Sequence, residues 1–204
     1  MRHQRIAVVD YGAGNLQSVA TALQYLGANF FITSLPLELA QAEKLIFPGV
    51  GEAASAMQNL KENGLDEGIS NFFKSGRLIL GICLGSQIVL DSSEESSTLC
   101  LGLISGRVRR FIAKPGFKVP HMGWNTVKFI QHHPIFRDIP DNSSFYFVHS
   151  YYPEPEDQAN VMAVCDYISP FPCAVGKDNL MAVQFHPEKS GRYGLRLLKN
   201  FIEL

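Results

Sequence analysis

Four runs in the first 80 residues, "RIAVVD" (5–10), "NFFIT" (29–33), "KLIFPG" (44–49) and "RLIL" (77–80), have apolar centres without polar alternation. A strand that shows one face to water alternates apolar and polar side chains, so runs of this kind imply strands covered on both faces. The stretches between them have helical spacing. "NLQSVATALQYLG" sets Leu16, Val19, Ala20, Leu23 and Leu26 on one side, with Asn15 placed to cap its start and Gly27 to end it. A second helical stretch covers roughly 52–74 and breaks near Asn63-Gly64, and a third begins near Leu84 and runs to about 91. Buried strands separated by helices build a parallel sheet with helices on both sides.

The second half changes character. "SGRVRRF" (105–111), "HMGWNTVKF" (121–129), "SFYFVHSYY" (144–152) and "NVMAVCDY" (160–167) are short strand-like runs punctuated by Pro, Gly, Asn and Asp. "CAVGKDNLMAVQF" (173–185) reads as a hairpin around Lys177-Asp178-Asn179, and "YGLRLLKNFIEL" (193–204) as an amphipathic terminal helix. Ser92–Ser97, "SSEESS", reads as a solvated polar loop. There is no repeat, low-complexity tract or linker, so residues 1–204 are expected to form one α/β domain with a mixed, mostly parallel central sheet flanked by helices.

Charge and composition exclude several functions. With 18 basic and 19 acidic residues the net charge is −1, which offers no surface for nucleic acid or an anionic membrane. No apolar run approaches the roughly 18 residues of a membrane span, and "MRHQRIAVVDYG" lacks the pattern of a secretory signal. Cys83, Cys100, Cys165 and Cys173 have no CxxC or other metal spacing, so free thiols, a cytoplasmic setting and no metal are expected. "DYGAGN" fails as a dinucleotide loop, because Gln17 stands where the third glycine belongs and no acidic residue follows about 20 positions on. No cofactor is expected.

One cysteine has unusual neighbours. In "LILGICLGSQ" (78–87), Cys83 follows a buried strand, opens a helix and is flanked by Gly81 and Gly85. Such a tight strand-to-helix turn strains the nucleophile's backbone, and the following helix turns its first amides toward the sulfur. The blander reading is a small apolar residue packed under a helix. A nucleophilic thiol needs a base. His3 lies near the terminus and His132-His133 in a polar turn, where exposed histidines are ordinary; His121 and His149 lie in strand-like runs. His186 ends "LMAVQF" and is followed by Pro187-Glu188. In extended chain Glu188 falls on the side of His186 and reaches its outer nitrogen, leaving the other for a thiol. Cys83 and His186 both sit at strand C-terminal ends, where α/β sheets place their sites. "FPGVGE" (47–52) forms a turn able to present the N–H groups of Val50 and Gly51, which with that of Leu84 would stabilise an oxyanion.

Together, "PGVG", "GICLGSQ" and "QFHPEKS", in this order and at these separations, resemble the class I, triad-type glutamine amidotransferases over essentially the whole chain. The resemblance implies that Cys83 attacks the side-chain amide of glutamine, with His186 as base and acid and Glu188 holding it. It also implies that Gln87 holds the substrate, with further contacts from Glu95, Ser150 and Tyr151. "VVDYGAGNLQSV", "VPHMGWNTV" (119–127) and "FYFVHSYY" (145–152) look like the branch whose glutaminase docks, as a heterodimer, on a (β/α)8-barrel cyclase of histidine biosynthesis. By that likeness His121, Met122, Trp124, Asn125 and Lys189 face the cyclase near an ammonia passage. Since a lone glutaminase that stays idle spares glutamine, the "PGVG" turn is expected to be set correctly only in the complex. The bland alternative makes Trp124 the anchor of a small subdomain core. Ser86 stands where that branch more usually has methionine. The same residues also suit a subunit serving another acceptor such as a surface sugar, an independent cysteine γ-glutamyl hydrolase, or a silent scaffold.

Overall fold

The computed structural model describes residues 5–12 and 16–204; His3 and Asn15, the expected cap of the first helix, lie outside them. The first half builds β1 (Ile6–Val9), α1 (Leu16–Tyr25), β2 (Phe30–Thr33), α2 (Pro36–Leu39), β3 (Lys44–Gly49), α3 (Ala53–Glu62), α4 (Leu65–Lys74), β4 (Ile79–Cys83) and α5 (Leu84–Ile88). β1, β3 and β4 are buried at every residue, as their unbroken apolar runs require. Within β1, Ile6 and Val8 join one core layer with α1, while Ala7 and Val9 join the other with α3 and α4. β2 is the edge strand and is only partly covered. The break between α3 and α4 falls at Gly64, whose φ of 65° is left-handed. β4 runs on to Cys83, beyond the apolar run that announces it, and α5 stops at Ile88, short of the expected end.

The second half adds β5 (Ser92–Ser93), β6 (Thr98–Leu99), β7 (Gly106–Arg110), β8 (His121–Phe129), β9 (Ser143–His149), β10 (Tyr151–Pro155), β11 (Val161–Asp166), β12 (Pro170–Lys177), β13 (Leu180–Val183) and α6 (Gly191–Glu203). The main sheet has nine strands in the order β2-β1-β3-β4-β13-β12-β11-β8-β9. It is parallel from β2 to β13 and antiparallel from β13 to β9. The β12–β13 hairpin closes with Lys177 opposite Leu180, so its turn is Asp178-Asn179 alone, with Asp178 at a φ of 53°.

Two expectations change here. "SFYFVHSYY" is not one strand: it breaks at Ser150, and β10 leaves the main sheet for a separate four-stranded one ordered β10-β7-β5-β6. "SSEESS" is not a bare loop either, since it supplies β5 and a single 3₁₀ turn, Glu95–Ser97. The ammonium of buried Lys44 on β3 donates to the carbonyls of Phe201 at 2.9 Å and Ile202 at 2.7 Å, fixing the C-terminal end of α6 to the sheet.

Candidate active site

Cys83 ends β4 with φ 54° and ψ −109°, outside the regions open to an ordinary residue. Such strain persists only where the surroundings over-determine it. Here they do. A Cβ on Gly85 would overlap the Phe47 carbonyl oxygen, and one on Gly81 would lie 3.0 Å from both the Gly85 oxygen and Ala182 Cβ. The glycines flanking the cysteine therefore let the first turn of α5 lie directly on β3 and β13. The Ser86 hydroxyl donates to the Cys83 carbonyl at 2.7 Å and so pins the elbow. Cys83 keeps only 6% exposure.

β13 runs parallel to β4 with Val183 opposite Ile82, which carries the chain past Cys83 to His186. The His186 N–H donates to the Tyr146 carbonyl at 2.9 Å, and its own carbonyl accepts from the Ser190 hydroxyl at 2.6 Å. Its Nδ1 lies 2.7 Å from Glu188 Oε1, with both side chains at most 1% exposed. Glu188 arrives by a 3₁₀ turn, Pro187–Lys189, and not by the extended geometry anticipated above. Burial opposes a charged ring at His186. The Cys83 sulfur and the Glu188 carboxylate outweigh it and raise His186 to about 10. Beside a thiolate, His186 thus holds its proton at neutral pH.

The sulfur opens on a cavity of about 270 Å³. Val50, Gly51, Leu84 and Gln87 line it together with Glu95, Ser150 and Tyr151. The His186 side chain, held by Glu188, lies within hydrogen-bonding reach of the sulfur. In the Val50–Gly51 turn, Gly51 has a φ of 98°, and any side chain on Gly49 would overlap the Tyr11 hydroxyl. Glu95 Oε2 accepts the Ala53 N–H at 2.8 Å, capping α3 where Glu52 makes no side-chain cap. Burial raises Glu95, and that N–H partly offsets it. Glu52 in turn accepts the Ser96 hydroxyl, so the loop around Glu95 is tied to the turn beside the sulfur.

Behind the cavity runs a polar chain. Gln87 Nε2 donates to the Tyr151 carbonyl at 2.9 Å and to Gln184 Oε1 at 3.0 Å, and Gln184 Nε2 lies 3.8 Å from Cys83 Sγ. The Tyr151 carbonyl also accepts His149 Nδ1 at 2.7 Å. That assigns the proton to His149 Nδ1 and leaves its Nε2 to accept from His121 Nδ1 at 3.0 Å, while His121 Nε2 accepts from Asn125 at 3.3 Å. Burial keeps both rings neutral, lowering His121 to about 4 and His149 to about 3.

The residues expected to face a partner divide. Met122 and Trp124 are 64% and 59% exposed and Lys189 is exposed, whereas Asn125 is half-buried and His121 lies inside, stacked between Phe147 and Tyr167. The alternation of β8 explains this, since neighbouring residues point to opposite faces. Trp124 touches the Tyr146 ring at the surface and anchors no subdomain core. Sequence reasoning missed Gln184, whose signal is a lone carboxamide in an apolar strand, and it gave the His149 imidazole no role. Among the described residues no three His, Cys, Asp or Glu side chains cluster to hold a metal ion.

A strained cysteine beside a histidine–carboxylate pair, with backbone amides across a small cavity, is the apparatus of acyl transfer through a thioester. The family model for class-I glutamine amidotransferases matches residues 7–204, and the chain belongs to that family. It is 48% identical over 208 residues to the imidazole glycerol phosphate synthase subunit HisH of Neisseria meningitidis serogroup B, covering 96% of this chain and 98% of that one. The subunit of the same name from Dehalococcoides mccartyi strain CBDB1 is 48% identical over 200 residues, covering 98% and 97%. Among solved structures, PurLQS from Thermotoga maritima shares the fold, with a TM-score of 0.74 at 19% identity and 98% coverage of both chains.

Proposed function

We propose that this chain is the glutaminase subunit of an imidazole glycerol phosphate synthase. It hydrolyses glutamine and delivers the ammonia to a separate (β/α)8-barrel cyclase, which makes imidazole glycerol phosphate and an aminoimidazole carboxamide ribotide in histidine biosynthesis. One observation carries the chemistry: the Cys83 sulfur lines the cavity and lies against the buried His186–Glu188 pair. The near-full-length kinship with subunits of that synthase supports the pathway.

The steps follow from the geometry. The Cys83 thiolate attacks the side-chain amide carbon, forming the C–S bond and placing negative charge on the amide oxygen. The N–H groups of Leu84 and the Val50–Gly51 turn receive that oxygen. As the C–N bond breaks, His186 Nε2 gives its proton to the departing nitrogen, releasing ammonia. A water then adds to the thioester carbon, losing its proton to Nε2, and collapse expels the thiolate with glutamate as product. Glu188 keeps Nε2 turned to the sulfur throughout. Gln87, with its amide hydrogens engaged elsewhere, offers its oxygen to the cavity.

Ammonia released into neutral water would be protonated, so delivery requires a closed path and hence a docked partner. The outer face of the β8–β9 ribbon suits that partner. It exposes Met122 and Trp124, and Tyr146 on the same face accepts the His186 backbone N–H. Docking there would also reset the Val50–Gly51 turn and so raise turnover. A cytoplasmic setting fits the four free cysteines and the pathway. Among the described residues no helix is long and apolar enough to cross a membrane.

A chloroketone analogue of glutamine tests the assignment. We expect one adduct, on Cys83 by peptide mass spectrometry, that excess glutamine prevents. Labelling spread over Cys100 and Cys165, or indifferent to glutamine, would contradict it.

A further inference from the structure

Gln184 is a fully buried carboxamide at the end of an otherwise apolar strand. Such a group is costly unless both of its ends are bonded. Its backbone N–H is already committed, donating to the Cys173 carbonyl at 2.9 Å. The register of β13 on β4, with Val183 opposite Ile82, sets Gln184 beside the nucleophile.

The orientation of its amide follows from a fixed reference. The Tyr151 carbonyl is an acceptor and nothing else, so the group of Gln87 that lies 2.9 Å from it must be the NH2. That same NH2 lies 3.0 Å from Gln184, which must therefore offer its oxygen. The NH2 of Gln184 is then turned toward the Cys83 sulfur, 3.8 Å away. Turning over either amide would set donor against donor or oxygen against oxygen. A backbone carbonyl on one side of the cavity thus dictates, through two side chains, which group meets the sulfur on the other.

We propose that Gln184 is a positioning residue for the glutaminase reaction. It holds the Cys83 sulfur by an N–H donor, favouring the thiolate both as nucleophile and as leaving group, and it locks the Gln87 oxygen toward the cavity. The role of a donor to a charged sulfur differs from that of a filler in the core. The proposal rests on the glutaminase reading of the site, but one of its tests does not depend on glutamine turnover.

Two variants separate its parts. Gln184→Met keeps the length and removes both donor and acceptor, whereas Gln184→Glu keeps an oxygen for Gln87 and removes the amide donor. Cys83 alkylation by iodoacetamide at pH 7 is measured on each purified chain, and kcat and KM for glutamine with the cyclase present. Both variants should slow alkylation and lower kcat by about tenfold, the scale of one hydrogen bond to a charged group. Gln184→Met should also raise KM by about tenfold, while Gln184→Glu leaves KM within about threefold of the parent. A purely structural role would lower the melting temperature and the active fraction without this split. Alkylation, kcat and KM within twofold of the parent in a folded variant would overturn the proposal. Should Gln184→Met fail to fold, the alkylation and kcat of Gln184→Glu decide. A parent chain that releases no glutamate with the cyclase would refute the glutaminase reading, and the alkylation comparison would still judge Gln184.

Discussion

The two halves of the nine-stranded sheet meet burial in opposite ways. In the parallel half, β1, β3 and β4 lie between two core layers with no residue exposed. In the antiparallel half, β8 alternates, sending His121 and Val127 inward and Met122 and Trp124 into solvent. The first arrangement has no slack, which suits it to hold a strained cysteine. The second leaves one face bare, which suits it to meet another protein. The site forms at their seam, where β13 lies parallel to β4 on one side and antiparallel to β12 on the other. Cys83 comes from the rigid half, and His186 is tied through Tyr146 to the half with the bare face.

The sharpest way to separate the halves is acid. The antiparallel half carries the neutral pair His121 and His149, lowered by burial to about 4 and about 3 from the ordinary 6.5. Unfolded chains take up protons as pH falls below 6.5, while the folded pair stays neutral until about 4. Stability is therefore complete above that range and falls as pH drops through it. Denaturant titrations at pH 6.5 and 5.0 should differ by roughly 1.6 kcal/mol for each histidine, or about 3 kcal/mol together. Replacing both histidines by phenylalanine should flatten that dependence, and an unchanged slope would break the comparison.

Glycine substitutions test rigidity next. Gly85→Ala drives a methyl into the Phe47 backbone carbonyl, which cannot yield, and should cost about 3 kcal/mol in denaturant unfolding. Gly176→Ala, in the antiparallel half, meets chiefly the flexible thioether of Met162 and should cost about 1 kcal/mol. Equal losses would remove the contrast. Ser86→Ala should cost about 1 kcal/mol by freeing the Cys83 carbonyl. Trp124→Ala should change the stability of the isolated chain by less than about 0.5 kcal/mol. By calorimetry, however, it should weaken cyclase binding by at least about tenfold, as loss of an interface tryptophan does. Undiminished binding would show that the bare face is not where the partner sits.

The same contrast explains what could be read in advance. Unbroken apolar runs admit one physical solution, so β1, β3 and β4 with their helices are legible, as is the hairpin at Asp178-Asn179. The four-stranded sheet is not. Ser92 pairs with Arg107 and Ser93 with Val108, and a two-residue strand has no periodicity to detect. The split at Ser150 is hidden because β9 and β10 are equally strand-like and differ only in their distant partners. In the site, Cys83, His186 and Glu188 stand out because motif and spacing bring them to neighbouring strand ends, although Glu188 arrives by a tight turn. His121 could have been separated from Met122 by the period of a strand. Gln184 could not have been assigned, since its meaning lies in the carbonyl of Tyr151, which only the fold brings near.

Glutamate release from glutamine, measured on the purified chain alone, with the cyclase and its phosphoribosyl ligand, and on Cys83→Ala in both settings, tests the central claim most directly. The account predicts slow turnover alone, strong stimulation in the complex, and loss of about a thousandfold or more in the variant. Turnover that ignores the cyclase, or that survives removal of the Cys83 sulfur, would contradict it.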